Sequence, residues 1–292
     1  MSTNTLQTGN KLAPLQLANG GQLSFDNPLV MGIINITPDS FYDGGKYIST
    51  EDAIEQAEKL LLEGADIIDL GAASTRPGAE LISPEDELKR LLPVLDAIVI
   101  KHPNAIISID TFHSEVATEC VRHDAAIIND ISGGTLDERM IDTMAKLNVP
   151  YIIMHMQGTP QNMQVEPTYN NVVTEVYDFL AGRVDAARAT GIKQIIIDPG
   201  FGFGKTVEHN YLLLRNLTKF RGLGLPILAG ISRKSMINKV LKTKPENALT
   251  GTIALNTLAT LQGANILRVH DVKEAKQVIK LVNQFLHPDT EI

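Results

Sequence analysis

The amino-acid sequence predicts an eight-fold (β/α) barrel preceded by a short β-hairpin, and three observations carry that prediction. Eight short apolar runs alternate with segments of helical periodicity, the order expected of a parallel sheet wrapped by helices. No long linker or shift in composition marks a second domain, so residues 28–292 read as one barrel and residues 1–27 as a tail and hairpin packed on it. The 292 residues also suit a fold that usually needs roughly 250. A doubly wound open sheet is the rival, but its Gly-x-Gly-x-x-Gly fingerprint should follow the first strand, and Asn35 to Gly45 lacks it.

Taken in order, Leu12, Leu15, Leu17, Leu23 and Phe25 flank an Asn19-Gly20-Gly21 turn, which suggests a hairpin able to plug one end of the barrel. Leu29 to Ile36 is a nearly continuous apolar strand that runs into the polar loop Thr37 to Gly45. Glu51 to Glu63 places Ile54, Ala57, Leu60 and Leu61 on one face, with Ser49 and Asp52 in capping-box spacing and Gly64 as the stop. The strand Asp66 to Leu70 follows, then the loop Gly71 to Gly78. Ser83 caps a second helix that has Pro84 at its first position and ends near Ile100.

The pattern repeats with strands at Ala105 to Ile109, Ala125 to Ile128, Val149 to Met154 and Gln194 to Ile197. Helices are predicted over Ser114 to His123, after a Thr135 and Glu138 cap, and over Asn170 to Thr190. A further helix over Val207 to Phe220 precedes a strand from Pro226 to Ala229. Helices around Met236 to Lys242 and Ala248 to Gln262, a last strand at Asn265 to Leu267 and a closing helix over Val272 to Leu286 complete the chain.

The totals narrow the function. With 26 basic and 34 acidic residues the net charge is −8, which argues against broad binding to nucleic acid or an anionic membrane. Cys120 is the only cysteine, so a disulfide within the chain and a cysteine-cluster metal site are excluded, and a small buried residue is expected there. The start lacks a signal pattern and no apolar run reaches transmembrane length, so a cytoplasmic protein is expected.

In such a barrel the site lies at the carboxyl ends of the strands, where polar residues recur: Asn35, Asp110, Asn129, His155, Asp198, Lys234, Arg268 and His270. Any one of them alone is an ordinary cap or turn residue. As a set, Asp110, Asn129 and Asp198 match a flat heterocycle bearing amino, ring N–H and carbonyl groups, with Phe203 and Met154 as apolar cover and Lys234 as its cation. Ser74, Thr75 and Arg76, together with Arg268 and His270, suit phosphate or pyrophosphate. Asn35 is the candidate ligand for a Mg²⁺ ion, which prefers oxygen and often meets few side chains. Asp39 and Asp43, beside Gly44-Gly45, suggest a loop that closes over a leaving group.

From Leu29 onward the chain resembles the dihydropteroate synthase family. Five separated motifs carry the resemblance in order: Met31 to Phe41, Ser74-Thr75-Arg76-Pro77-Gly78, Asn129-Asp130, Asp198 to Lys205, and Ser232-Arg233-Lys234. The resemblance implies that dihydropterin pyrophosphate and p-aminobenzoate are condensed with release of pyrophosphate. It implies a pterin site of Asp110, Asn129, Asp198, Lys234 and Phe203, and pyrophosphate contacts from Thr75, Arg268 and His270. It further implies Mg²⁺ at Asn35 and a p-aminobenzoate site of Phe41, Thr75, Pro77, Phe203 and Ser235, which sulfonamides occupy in the family, in a homodimer. One departure is Ala73, where many members are expected to carry glutamate ahead of Ser-Thr-Arg. Three alternatives stay open at this level: a methyl-transfer pterin barrel, a pterin binder without turnover, and a Schiff-base aldolase using Lys234.

Overall fold

The computed structural model describes residues 12–18, 20–36, 49–73 and 82–289. A small antiparallel hairpin, β1 (Leu15–Gln16) and β2 (Gln22–Leu23), precedes the barrel strands. These are β3 (Leu29–Asn35), β4 (Ile67–Gly71), β5 (Ile107–Asp110), β6 (Ile127–Asp130), β7 (Tyr151–Met154), β8 (Ile195–Asp198), β9 (Leu228–Ala229) and β10 (Ile266–Val269). All eight are parallel; β3 to β8 are neighbours in chain order, and β10 lies between β3 and β9. A parallel bridge from Ile197 to Ile227 brings β8 against the chain entering β9, which closes the ring. The arrangement is the TIM barrel that the alternating pattern predicts.

Strand alternation divides the core into two shells. Outward positions such as Ile34, Leu70, Ile109, Ile128, Ile153, Ile197 and Leu267 pack in one large cluster with the buried faces of the helices. Inward positions at the amino ends, Met31, Ile67, Ile127, Ile152, Ile196, Leu228 and Ile266, cluster with Leu15, Leu17 and Leu23 of the hairpin. The hairpin therefore plugs the bottom of the barrel with apolar surface. Two residues further along, the chain returns to the inward face, where Ile67, Ile127, Ile152, Ile196 and Ile266 are followed by Asp69, Asn129, Met154, Asp198 and Arg268.

The surrounding helices are α1 (Thr50–Leu62), α2 (Pro84–Lys101), α3 (Ser114–Arg122), α4 (Met140–Leu147), α5 (Val172–Ala189), α6 (Val207–Arg215), α7 (Ser235–Leu241), α8 (Leu249–Leu261) and α9 (Val272–Leu286). Ser49 and Asp52 form the expected capping box, and Ser83 caps α2 by accepting from the Asp86 amide at 3.1 Å. Cys120 is buried and unpaired.

Two boundaries differ from the sequence reading. The Thr135 and Glu138 cap does not form, because Asp130 accepts from the Ser132 and Gly134 amides at 2.8 and 2.6 Å and holds the chain in a turn. The Thr135 hydroxyl instead donates to the Ser132 carbonyl, and α4 starts at Met140. The helix expected to reach Phe220 stops at Arg215, and a 3-10 turn over Leu217–Leu223 ends on Gly224, whose φ of +67° breaks the run.

Candidate active site

At the carboxyl end of the barrel, Arg268 on β10 reaches past β3 to side chains on β4 and β5. Its Nε donates to Asp69 Oδ2 at 2.6 Å and its Nη2 to Asp110 Oδ2 at 2.8 Å. Asn129 Nδ2 donates to the same Asp69 oxygen at 3.2 Å. Four strands are thus tied by one buried polar network, and only a guanidinium offers two donors splayed toward two carboxylates. Burial pushes the Asp110 carboxyl up to about 7, reinforced by Asp69 and opposed by Arg268. Burial also pulls on Arg268, but Asp69 and Asp110 more than offset it and hold the guanidinium above its usual value.

The second cluster forms on the loop that follows β8. Asp198 is buried, and its Oδ1 accepts from the Gly200 amide at 2.7 Å. Burial raises its pKa against the pull of the Lys234 ammonium. Lys234 donates to the Phe201 carbonyl and lies 4.6 Å from the centroid of the Phe203 ring, a cation–π distance. Burial pulls the Lys234 amine down to about 8, with Asp198 acting in the opposite sense. The loop needs its glycines: a Cβ at Gly200, where φ is +70°, would lie 1.9 Å from the His155 carbonyl oxygen.

Apolar cover adjoins both clusters. Met154 packs with Phe112, Ile131, Met156 and Met163, and Phe203 leans on the same group. Asn35 ends β3 in register with Gly71, and a Cβ on Gly71 would come within 3.7 Å of both the Asn35 and Asp110 side-chain oxygens. Ser232 Oγ lies 3.0 Å from His270 Nδ1 and fixes that ring. Burial, Arg233 and Arg268 hold the His270 pKa down to about 4, which favours a neutral, hydrogen-bonding imidazole. Ser235 is exposed on the first residue of α7.

A family described as pterin binding enzyme matches residues 31–270. Over 271 residues the chain is 43% identical to the dihydropteroate synthase of Escherichia coli (strain K12), covering 92% of this chain and 95% of that one. The chain belongs to the pterin-binding enzyme family. Among solved structures, dihydropteroate synthase from Yersinia pestis with a sulfonamide drug complex superposes with a TM-score of 0.90 at 39% identity, covering 94% of this chain and 99% of that one. The Xanthomonas albilineans dihydropteroate synthase with 4-aminobenzoic acid gives 0.87 at 39% identity, over 94% of this chain and 99% of that one.

The fold thus brings Asp110, Asn129, Asp198, Lys234, Phe203, Met154 and Arg268 to one mouth, with Asn35 and His270 beside it, while Ser235 is placed only as the exposed neighbour of Lys234. Phe41, Thr75, Arg76 and Pro77 lie outside the described residues, as do Asp39 and Asp43. The root of the second loop is anchored where Arg90 Nη1 donates to the Ala72 carbonyl at 3.2 Å, next to Ala73. Two buried ionisable groups escaped the sequence reading. Asp69 was passed over inside a strand, although a carboxylate in an otherwise apolar buried run is itself a signal. Lys205 closed the glycine motif without a role, yet its side-chain nitrogen is buried against four partners.

Proposed function

We infer that the chain is a transferase of folate biosynthesis that condenses 6-hydroxymethyl-7,8-dihydropterin pyrophosphate with p-aminobenzoate to give 7,8-dihydropteroate and pyrophosphate. The observation that carries this reading is the mouth itself, where two buried carboxylates, Asp110 and Asp198, and the Asn129 amide meet the cations Lys234 and Arg268. Carboxylates accept from the amino and ring N–H groups of a pterin, the amide can donate and accept, and the Lys234 ammonium donates to the ring carbonyl or a ring nitrogen. Met154 and Phe203 supply the flat apolar walls.

In the reaction the aniline nitrogen of p-aminobenzoate attacks the exocyclic methylene of the pterin. The carbon–oxygen bond to pyrophosphate breaks, its electron pair leaves with pyrophosphate, and the nitrogen then gives up a proton to water. Arg268 keeps N–H groups beyond the two given to Asp69 and Asp110, and these stabilise charge growing on the leaving group. Ionised Asp110 stabilises positive charge spreading into the pterin. Thr75, Arg76 and His270 complete the pyrophosphate contacts, and Phe41, Thr75, Pro77, Phe203 and Ser235 surround p-aminobenzoate, where sulfonamides compete.

Among the described residues no group of three or more His, Cys, Asp or Glu side chains could hold a metal ion. The half-buried Asn35 amide oxygen, at the strand end beside Asp110, instead fits a Mg²⁺ carried in on the substrate's phosphates and otherwise bound by water. When bound, the ion neutralises pyrophosphate charge.

Two further proposals concern setting. Leu258 and Leu261 on α8 are 47% and 39% exposed, and Leu281 and Phe285 on the adjoining α9 are 72% and 73% exposed. A second copy would cover this face, which makes the enzyme a homodimer; sedimentation should give twice the chain mass, and a monomer at micromolar concentration refutes it. The lone cysteine, buried and unpaired, fits a reducing compartment, and we place the reaction in the cytoplasm.

The deciding assay is pyrophosphate release from dihydropterin pyrophosphate and Mg²⁺, with and without p-aminobenzoate. Release that requires p-aminobenzoate, yields dihydropteroate and is blocked by a sulfonamide is expected. Tight pterin binding without turnover overturns the reading.

A further inference from the structure

Five consecutive backbone carbonyls of the loop after β8 each accept from a side chain. Lys205 Nζ donates to Gly200 at 2.8 Å and to Phe203 at 2.9 Å, Lys234 to Phe201, Gln164 Nε2 to Gly202 at 2.6 Å, and the Tyr169 hydroxyl to Gly204 at 2.8 Å. A glycine-rich segment has many conformations open to it, so a loop with every carbonyl engaged is one whose shape is imposed from outside. Lys205 is the central donor because it alone holds both ends of the turn. It also anchors them to β7, through His155 Nδ1 at 2.8 Å and, more loosely, the His155 carbonyl at 3.3 Å.

Burial pulls the Lys205 amine well below its usual pKa against the effect of Asp198, and two carbonyls with His155 Nδ1 satisfy the nitrogen whether it carries three protons or two. His155 then offers a lone pair at Nδ1 to an ammonium or a proton at Nδ1 to an amine, and is neutral in either form. Burial and Lys205 hold its pKa down to about 2, which agrees with a neutral ring. No substrate need touch Lys205, since it is 2% exposed.

We propose that Lys205 is a positioning residue of the active site: by fixing the Gly200 and Phe203 carbonyls it sets where the Phe203 ring stands and where the Phe201 carbonyl meets Lys234. The inference rests on the reading that this mouth binds pterin and p-aminobenzoate. A lysine that merely stabilised the barrel would lower the melting temperature and leave the affinities of the folded enzyme alone. A positioning lysine moves KM.

The test uses the full chain. Wild-type turnover is established first, so that loss of the functional reading is seen separately. Lys205→Met is then expected to raise KM for p-aminobenzoate about tenfold or more with kcat within about threefold. Amide exchange of the peptide 199–206 should accelerate while the other strand-end loops keep their protection. Wild-type KM and exchange with only a lowered melting temperature overturn the proposal. Should this variant fail to fold, Lys205→Arg keeps a cation there while its planar guanidinium cannot meet the Gly200 and Phe203 carbonyls and His155 in the same directions. Faster exchange of the same peptide with KM raised about two- to fivefold is expected, and unchanged values in both overturn the proposal.

Discussion

The two ends of the barrel are built from the same strands and differ by a step of two residues. At the bottom the inward positions are Ile127, Ile152, Ile196 and Ile266, sealed by the hairpin; two residues on they are Asn129, Met154, Asp198 and Arg268. The bottom is held by apolar burial, which has no preferred direction and tolerates shape changes that conserve volume. The top is held by directed bonds between buried charges, whose desolvation is offset only while every partner is present. One end makes the barrel stable so that the other can be polar.

Arg268 is the residue on which the polar end depends most. Arg268→Ala should lower kcat/KM by about 10²- to 10³-fold and leave Asp69 and Asp110 without their counter-charge, costing roughly 3 to 5 kcal/mol of stability as well. Pyrophosphate release should suffer far more than pterin binding, and equal losses in both would remove Arg268 from the leaving-group site. Arg268→Lys should recover little, since one ammonium cannot serve both carboxylates along the Nε and Nη2 directions. At the other end, Ile196→Ala should cost about 2 to 5 kcal/mol through the cavity it leaves, with kcat/KM per folded molecule unchanged. A matching loss of activity there would show that the two ends are coupled.

Glu87 is a second kind of buried carboxyl, lying beside the polar end but outside the network that Arg268 holds together. It is fully buried in the first turn of α2, and among the described residues neither carboxylate oxygen has a well-formed hydrogen bond; the Thr111 side chain acts on it and His113 Nε2 stands 3.8 Å away. Burial, opposed by the Thr111 side chain and aided by Asp110, raises its pKa from the ordinary 4.5 to about 8. Between those values the folded chain keeps a proton that the unfolded chain has lost, so stability falls as pH rises through that window. Glu87→Gln cannot titrate and should flatten that slope, leaving the variant roughly 1 to 4 kcal/mol more stable than the wild type at pH 8. Denaturant melts at pH 5 and pH 8 measure the difference; an unchanged slope would mean that Glu87 is ionised in the fold.

The layout of both ends was legible in the chain because strand period and helix caps are local. The capping box at Ser49 and the Ser83 cap stand where their spacing put them. Asp110, Asn129, Asp198 and Lys234 could be picked out because each lies where an apolar run gives way to a turn. Asp69 was hidden by the opposite circumstance: its strand continues apolar to Leu70, so nothing marks its end, and only its position two residues after Ile67 turns it inward. The carbonyl clamp was not legible at all. Gln164 and Tyr169 lie about 40 residues before the glycines they hold, and such convergence is a property of the closed barrel rather than of any local pattern.

Asn129 and Asp130 carry the smallest and finest form of the contrast, because they are adjacent, equally buried and equally polar, yet face opposite sides of the barrel wall. Asn129 points inward to Asp69. Asp130 points outward, where it accepts from the Tyr151 hydroxyl at 2.7 Å as well as from the turn amides of Ser132 and Gly134. Its polar atoms are satisfied by structure, so direction rather than height in the barrel decides which residue faces the mouth. Tyr151→Phe removes one of the hydrogen bonds to Asp130 while keeping the ring that fills the outer shell, and should cost about 1 to 2 kcal/mol in a denaturant melt. The kcat/KM of the folded variant should stay within about twofold of wild type. A tenfold loss would mean that the turn held by Asp130 reaches the mouth, and that the wall between the outer shell and the site is thinner than the alternation of the strand implies.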